Sequence, residues 1–175
     1  MNKDTGKLIK ITKFVDAIST KAGQLFSWLL IFLILSMTYE IFARYFFNSP
    51  TMWSYDVSYM LSSLILVMGV AWVLAERGHV SVDILYNKFP TRGRVFLDIF
   101  FSLVLFFPCW ILVLLYMFPD IANSWSTGET ASVGTWKPIL YPFKTWIFLG
   151  LLLFLVQGVI ELIKNVKTLI SGENL

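Results

Sequence analysis

The chain has 175 residues, of which 57% are hydrophobic and 14% are charged, and its formal net charge is +3. This balance is typical of an integral membrane protein and argues against a soluble domain. The basic residues cluster beside apolar runs, so we do not expect a nucleic-acid partner. Because Cys109 and His79 are the only residues of their types, the chain alone offers no disulfide, bis-histidine haem or HExxH zinc site. We expect no enzyme and no cofactor or metal in this chain.

Residues 1–21 combine five lysines with a regular apolar pattern. Leu8, Ile11, Val15 and Ile18 follow one another at spacings of three and four, and most lysines fall on other faces of the helix. The pattern predicts an amphipathic helix that lies on the anionic inner leaflet. A cleaved signal peptide fits less well, because the next apolar run is too long and lacks a small-residue cleavage pattern.

Four apolar runs follow, each long enough to cross a bilayer. They are residues 22–39 (with an extension to Phe47), 57–75, 99–119 and 139–163. Asn48-Ser49-Pro50 breaks the first helix, and the next helix is expected to begin near Thr51. Pro108 predicts a kink in the third run. Lys144 and Glu161 lie near the ends of the fourth run, as is typical of side chains that extend towards headgroups.

We therefore predict an all-α integral membrane protein. It has an N-terminal interfacial helix over residues 1–21, a four-helix membrane domain over residues 22–163 and a cytoplasmic tail over residues 164–175. Eleven lysines and arginines lie in the N-terminal segment, the middle loop and the C-terminal tail, against three on the opposite side. This asymmetry places both termini in the cytoplasm.

Glu40 and Arg44 stand four residues apart, so they share a helix face. At a rise of about 1.5 Å per residue, Glu40 lies about 27 Å from Ala22 and therefore near the outer interface. The pair is either a self-contained ion pair or a contact for a partner helix. An ion pathway is not favoured, because no other run has an acid near its centre.

Other polar residues lie at the ends of the crossings. Trp53 and Asp56 open the second crossing as an interfacial aromatic residue and a carboxylate that complements the helix dipole. Lys144 is on the same external side and can pair with Asp56 or Glu40; the sequence leaves this open. His79 and Asp83 follow the second crossing at a spacing of four, which suits either a solvated loop or proton or metal handling.

Together these features resemble the DctQ-like small membrane subunit of TRAP (tripartite ATP-independent periplasmic) transporters. The resemblance spans about residues 22–160 and rests on the order and spacing of several short motifs. They are Glu40-x3-Arg44, Trp53-x2-Asp56, Gly69, Gly78-His79-Val80-x-Val82-Asp83, Pro90, Arg92-x-Arg94, Ser126-x-Gly128-Glu129, Trp136-Lys137, Pro142-x-Lys144 and Gln157. One departure is Asp56, where the resemblance implies glutamate.

The resemblance implies a multi-pass protein of the bacterial inner membrane that acts as scaffold and anchor for a large, DctM-like subunit. That partner is expected to hold the sodium and substrate sites and to import an organic acid, a carboxylate or a sulfonate. A periplasmic binding protein is expected to deliver the substrate. Glu40, Arg44, Trp53, Asp56, His79, Asp83 and Lys144 are then candidate partner-interface or structural residues.

Two other classes of protein fit the sequence less well. A self-sufficient four-helix exporter that works as a homodimer would need an acid in the middle of the membrane, and Glu40 lies too near the edge. A membrane enzyme, such as a quinone-linked thiol oxidase or a haem protein, is opposed by the single cysteine and single histidine.

Overall fold

The computed structural model describes residues 3–76, 91–132 and 136–171. Its helices are α1 (Lys3–Ser27), α2 (Leu29–Phe46), α3 (Ser54–Ala75), α4 (Thr91–Phe101), a π-helical segment (Ser102–Phe106), α5 (Phe107–Thr127) and α6 (Tyr141–Ser171). Four helical stretches are long and apolar enough to cross a membrane: Lys10–Phe46, Ser54–Ala75, Gly93–Thr127 and Tyr141–Leu169. The all-helical fold is thereby confirmed, and the four candidate spans match the four predicted crossings in number.

The first crossing is built from α1 and α2, which are separated only at Trp28. The helical hydrogen bonding is locally tightened there, with Trp28 N donating to Leu25 O at 3.3 Å. Lys10–Phe46 comprises 37 residues, which at about 1.5 Å per residue exceeds a hydrocarbon core of about 30 Å. No break occurs at residue 21, so the N-terminal segment continues into the crossing as one helix; its placement on the inner leaflet remains a prediction.

The centre of the molecule is formed by α3 and α6, which run parallel to each other. Near one end of this pair Tyr59 contacts Phe143, with ring centroids 5.9 Å apart. We call this end of the molecule the outer end and the opposite end the inner end, after the predicted topology. Farther along, the backbone at Gly150 lies against Val67 and Met68, because a glycine has no Cβ to hold the helices apart. Ala71, Leu74 and Phe154 form the buried apolar core below this contact.

The other two crossings pack on this central pair and run antiparallel to α6. On one side α1 contacts both central helices, with Gly23 against Trp72 and Phe26 5.7 Å from Trp146 between ring centroids. On another side of α6 the third crossing contributes Phe106, which lies over Gly158, and Trp110, whose ring is 5.2 Å from that of Phe154. The third crossing packs through one edge only and leaves most of its apolar side chains exposed.

Pro108 predicts a kink in the third crossing, and the helix forms a wide turn just before this residue. Phe107 N donates to Ser102 O, five residues back, at the end of the π-helical segment. Proline has no N–H and its ring clashes with the carbonyl of the residue four positions earlier, so an ordinary helical turn is unfavourable there. The wider turn lets one long helix continue through the proline.

Candidate functional site

Glu40 and Arg44 form the predicted ion pair at the outer end of α2. The Glu40 Oε1 atom accepts from Arg44 Nη2 at 2.6 Å and from Arg44 Nε at 3.1 Å. Glu40 also accepts through Oε2 from the Thr51 amide at 3.0 Å and from the Thr51 hydroxyl. Glu40 is 9% exposed whereas the Arg44 side chain is 58% exposed. The carboxylate therefore fastens the end of α2 to the following turn, and the guanidinium remains accessible.

The turn between α2 and α3 brings Thr51 back to Glu40. Asn48 adopts a left-handed backbone conformation with φ 49°, which asparagine tolerates better than most residues. Ser49 N then donates to Ala43 O at 3.0 Å, which caps the end of α2. Helix α3 begins at Ser54, slightly later than expected, and Asp56 lies in its first turn as predicted. The helix break predicted at residues 48–50 is thus an ordered turn. We call this turn, together with Glu40, Arg44 and Thr51, the outer clip.

Lys144 is the centre of a second outer cluster. Its ammonium nitrogen lies 2.6 Å from Glu129 Oε2, 2.9 Å from Asp120 Oδ2 and 2.9 Å from Ser124 Oγ. Ser124 is fully buried and its hydroxyl donates to Glu129. The partners of Lys144 are therefore neither of the two acids, Asp56 and Glu40, that the sequence offered as candidates.

The loop after α5 places Glu129 beside Lys144. Gly128 ends the helix in a left-handed conformation, φ 62°, which glycine adopts without strain. Leu140 N donates to Glu129 O at 3.0 Å, and Ala131 N donates to Pro138 O at 2.9 Å. The hydrogen bonds from Lys144 and Ser124 lower the pKa of Glu129 below its ordinary value of 4.5. An ionised Glu129 thus links the loop to the start of α6.

A third polar cluster ties α1 to the inner half of α6. Ser19 and Gln157 are both fully buried; Ser19 Oγ donates to Gln157 Oε1 at 2.9 Å, and Gln157 Nε2 donates to Asp16 Oδ1 at 2.7 Å. Lys164 lies 3.0 Å from Asp16 and 2.6 Å from Glu161. Buried polar groups in a membrane are stable only with such partners, so this network fixes the position of α1.

An open groove of about 940 Å³ lies at the outer end between α2 and the turn before α3. Its lining is mainly apolar and aromatic and includes Leu35, Phe42, Trp53 and Trp136. Trp53 also stacks on Tyr39, with ring centroids 6.0 Å apart. Arg44 is two residues from Phe42 and so points to the opposite side of α2. The groove and the exposed guanidinium are thus separate surfaces.

The remaining candidate residues are not gathered into one site. Asp56 is partly buried, and within the described residues it has no hydrogen-bond or ion-pair partner. His79 and Asp83 lie outside the described residues. Among the residues that are described, no group of three His, Cys, Asp or Glu side chains is arranged to hold a metal ion.

The partners in the two longer-range clusters were not predicted from the sequence. A signal for them was present: Asp120 and Ser124 stand four residues apart, and Asp16 and Ser19 stand three apart. Such spacings put each polar pair on one helix face next to an apolar run. They do not show which distant residue the pair contacts.

Sequence comparison connects this architecture to a known family. The family of tripartite ATP-independent periplasmic transporters, DctQ component, matches residues 33–168, which include the outer clip, the Lys144 cluster and Gln157. The chain belongs to the DctQ family. This DctQ chain is therefore a component of a transporter and a multi-pass protein of the inner membrane.

A second comparison relates part of this DctQ chain to a longer protein. Over 67 residues it is 30% identical to the sialic acid TRAP transporter permease protein SiaT of Haemophilus influenzae (strain 86-028NP). The matched segment covers 38% of this chain and 11% of the relative. Most of that permease therefore has no counterpart in this match.

Proposed function

We propose that this DctQ chain is the scaffold and membrane anchor of a sodium-coupled importer of organic acids. In this proposal a separate large membrane subunit carries the substrate and sodium sites, and a periplasmic binding protein delivers a carboxylate or sulfonate. Family membership supports a large permease partner and a binding protein in general terms.

The distribution of charge along the crossings supports the scaffold role. Residues 22–39, 57–75, 99–119 and 145–160 contain no Asp, Glu, Lys or Arg. The charged residues described above lie near the ends of these crossings. A chain of this kind has little with which to coordinate sodium or an anionic substrate at the membrane centre, whereas long exposed apolar helices suit a partner subunit.

The related permease supports the proposal that transport itself belongs to another subunit. It also supports the proposed class of substrate. Only 11% of SiaT matches this chain, so the transport machinery of that permease can lie in the remainder. In the present case a separate large subunit would supply that remainder. The name of the relative refers to sialic acid, an acidic sugar, which agrees with an organic acid as substrate.

The orientation and the N-terminal helix are part of the same proposal. The excess of basic residues predicts that both termini are cytoplasmic. On α1, Ile11, Phe14, Ile18 and Leu25 are exposed, while Asp16, Ser19 and Gly23 face the other helices. We propose that the exposed apolar residues contact the inner leaflet beside the first crossing.

The test is to purify the affinity-tagged chain from native membranes and to reconstitute what it captures. We expect mass spectrometry to identify one large membrane subunit. Proteoliposomes with both subunits should take up a labelled organic acid only with an inward sodium gradient and the binding protein present. The test panel should include sialic acid, a dicarboxylate and a sulfonate.

Omitting single components separates the alternatives. Uptake by the large subunit alone at the full rate would contradict a required scaffold. Transport by the small chain alone would instead support a self-sufficient homodimeric exporter.

A further inference from the structure

One side of the central helix α3 is largely exposed, and the ring contact between Tyr59 and Phe143 of α6 lies at its outer end. It presents Tyr55, Tyr59, Ser62, Leu66, Gly69 and Val73, which follow one another at spacings of four and three residues. The large side chains of this set are all exposed. This spacing keeps the residues in one line along the helix, as in the seam of two packed helices. We call this line the open face of α3.

Gly69 distinguishes this face from the packed surfaces of the same chain. A Cβ at Gly23, Gly150 or Gly158 would meet Trp72, Val67 or Phe106, so each of these glycines serves a close contact inside the chain. A Cβ at Gly69 would meet nothing within 4 Å. Glycine weakens a helix relative to alanine, and at Gly69 no internal contact compensates. The contact that compensates is therefore expected outside the chain.

The open face of α6 is a useful contrast. It presents Leu149, Leu152, Val156 and Val159, all exposed and all aliphatic. The open face of α3 instead carries two tyrosine hydroxyls, a serine and a glycine. In membranes, small and hydroxyl-bearing residues are enriched where helices meet, because they allow close approach and hydrogen bonds between helices. The aliphatic face of α6 therefore suits lipid, and the face of α3 suits a second helix.

Asp56 adds a charge at the outer end of the same helix. Glu40, Asp120 and Glu129 each lie beside a cation of this chain. Asp56 lies one turn before Tyr59, is partly buried, and has no ionic partner among the described residues. Placing a partner against α3 would remove more water from this carboxylate, so the partner needs a lysine or arginine at that level.

We propose that the open face of α3 is where a transmembrane helix of the large subunit packs, crossing closest at Gly69 and placing a basic side chain beside Asp56. This inference rests on the proposed function, since it specifies the contact surface for the large subunit. The face of α6 remains in lipid.

The direct test is photo-crosslinking in native membranes. A benzoylphenylalanine residue replaces Leu66 on α3 or, as the matched control, Leu152 on α6. Both are exposed leucines and lie at similar depth, because Gly150 contacts Val67 and Met68. We expect the Leu66 probe to capture the large subunit and the Leu152 probe to give no protein product. Capture of a second copy of this chain at Leu66, or capture of the large subunit only at Leu152, would overturn the assignment.

Substitutions give a second measurement. Because the space at Gly69 is open and leucine favours a helix more than glycine does, Gly69→Leu should leave the isolated chain as abundant as the parent and at least as stable to heat. The recovered large subunit should fall about tenfold, since an added side chain prevents close packing. The Leu152→Trp chain should recover as much large subunit as the parent chain does. Equal recovery by the Gly69→Leu chain would contradict the proposal.

Capture of the large subunit by the unmodified chain distinguishes a failure of this inference from a failure of the proposed function. If the unmodified chain captures no large subunit, both fail. If it does, but Gly69→Leu and the Leu66 probe behave like their controls, only the proposed surface fails.

Discussion

The two polar clusters at the outer end of the molecule are assembled in different ways. Glu40 meets Arg44 within one helix and Thr51 across a short turn. Lys144 meets Asp120, Ser124 and Glu129, which come from the preceding helix and loop. The Glu40–Arg44 pair follows from helical geometry alone, and the Thr51 contact depends only on the short turn that follows. The second arrangement exists only because α5 packs against α6, so it reports on the tertiary fold.

The first prediction, with the largest effect, concerns topology: both polar clusters should lie on the periplasmic side of the membrane. In a Cys109→Ala background, a single cysteine at Ser126 should react fully with an impermeant maleimide in intact spheroplasts. A cysteine at Ser81, between the second and third crossings in the sequence, should react only after the membrane is opened. Ser126 is exposed next to the Lys144 cluster. The reverse labelling pattern would invert the predicted topology.

The next largest effect should come from Lys144→Ala. Removing the ammonium group leaves Glu129, Asp120 and the buried Ser124 hydroxyl without their shared partner. We expect a loss of about 1–3 kcal/mol in the free energy of unfolding in detergent. Lys137→Ala is the control, because Lys137 is exposed and its removal should change that free energy by less than about 0.5 kcal/mol. Equal effects of the two substitutions would show that the cluster adds no stability.

A smaller effect is expected at the local pair, and it should be unequal between the partners. Arg44→Ala removes a largely exposed guanidinium and should cost the isolated chain about 0–1 kcal/mol. Glu40→Ala should cost about twice as much, because it also removes the Oε2 atom that accepts both hydrogen bonds from Thr51.

The double swap Glu40→Arg with Arg44→Glu keeps a local pair but loses the Thr51 bonds. Thermal unfolding of the three variants measures the stability of the clip. Recovery of the large subunit shows whether the exposed Arg44 also contacts a partner. Parent-like assembly by the swapped chain would leave Arg44 with a local role only.

The smallest effect is the pH dependence of the Lys144 cluster. Because the folded state lowers the pKa of Glu129, its carboxylate stabilises the fold above its ordinary pKa of 4.5. That contribution is lost as the pH falls through the lowered folded value. The difference in unfolding temperature between the parent and Glu129→Gln should therefore be present near neutral pH and shrink in acid. A difference that is constant with pH would indicate that ionisation of Glu129 is not involved.

Several features were predictable because they depend on residues close in the chain. The runs of apolar residues identified the four crossings, and the spacing of Glu40 and Arg44 identified their ion pair. Asp56 was placed correctly in the first turn of α3. The boundary at residue 21 was expected from a change in composition, but helical hydrogen bonding continues through it to Ser27, because nothing in that segment interrupts a helix.

The membrane class, the number of candidate crossings and the local Glu40–Arg44 pair follow from the amino-acid sequence alone. Hydrophobicity and helical periodicity act along the chain, so these properties need no knowledge of distant contacts. Three other features depend on how the helices pack. Lys144 pairs with Asp120 and Glu129, and Gln157 fixes the position of α1. The space beside Gly69 is empty, whereas Val67 occupies the space beside Gly150. The physical reason is that in a membrane every long helix is apolar, so composition does not specify which faces meet. That choice depends on small residues and a few polar groups, whose partners become adjacent only when the helices pack.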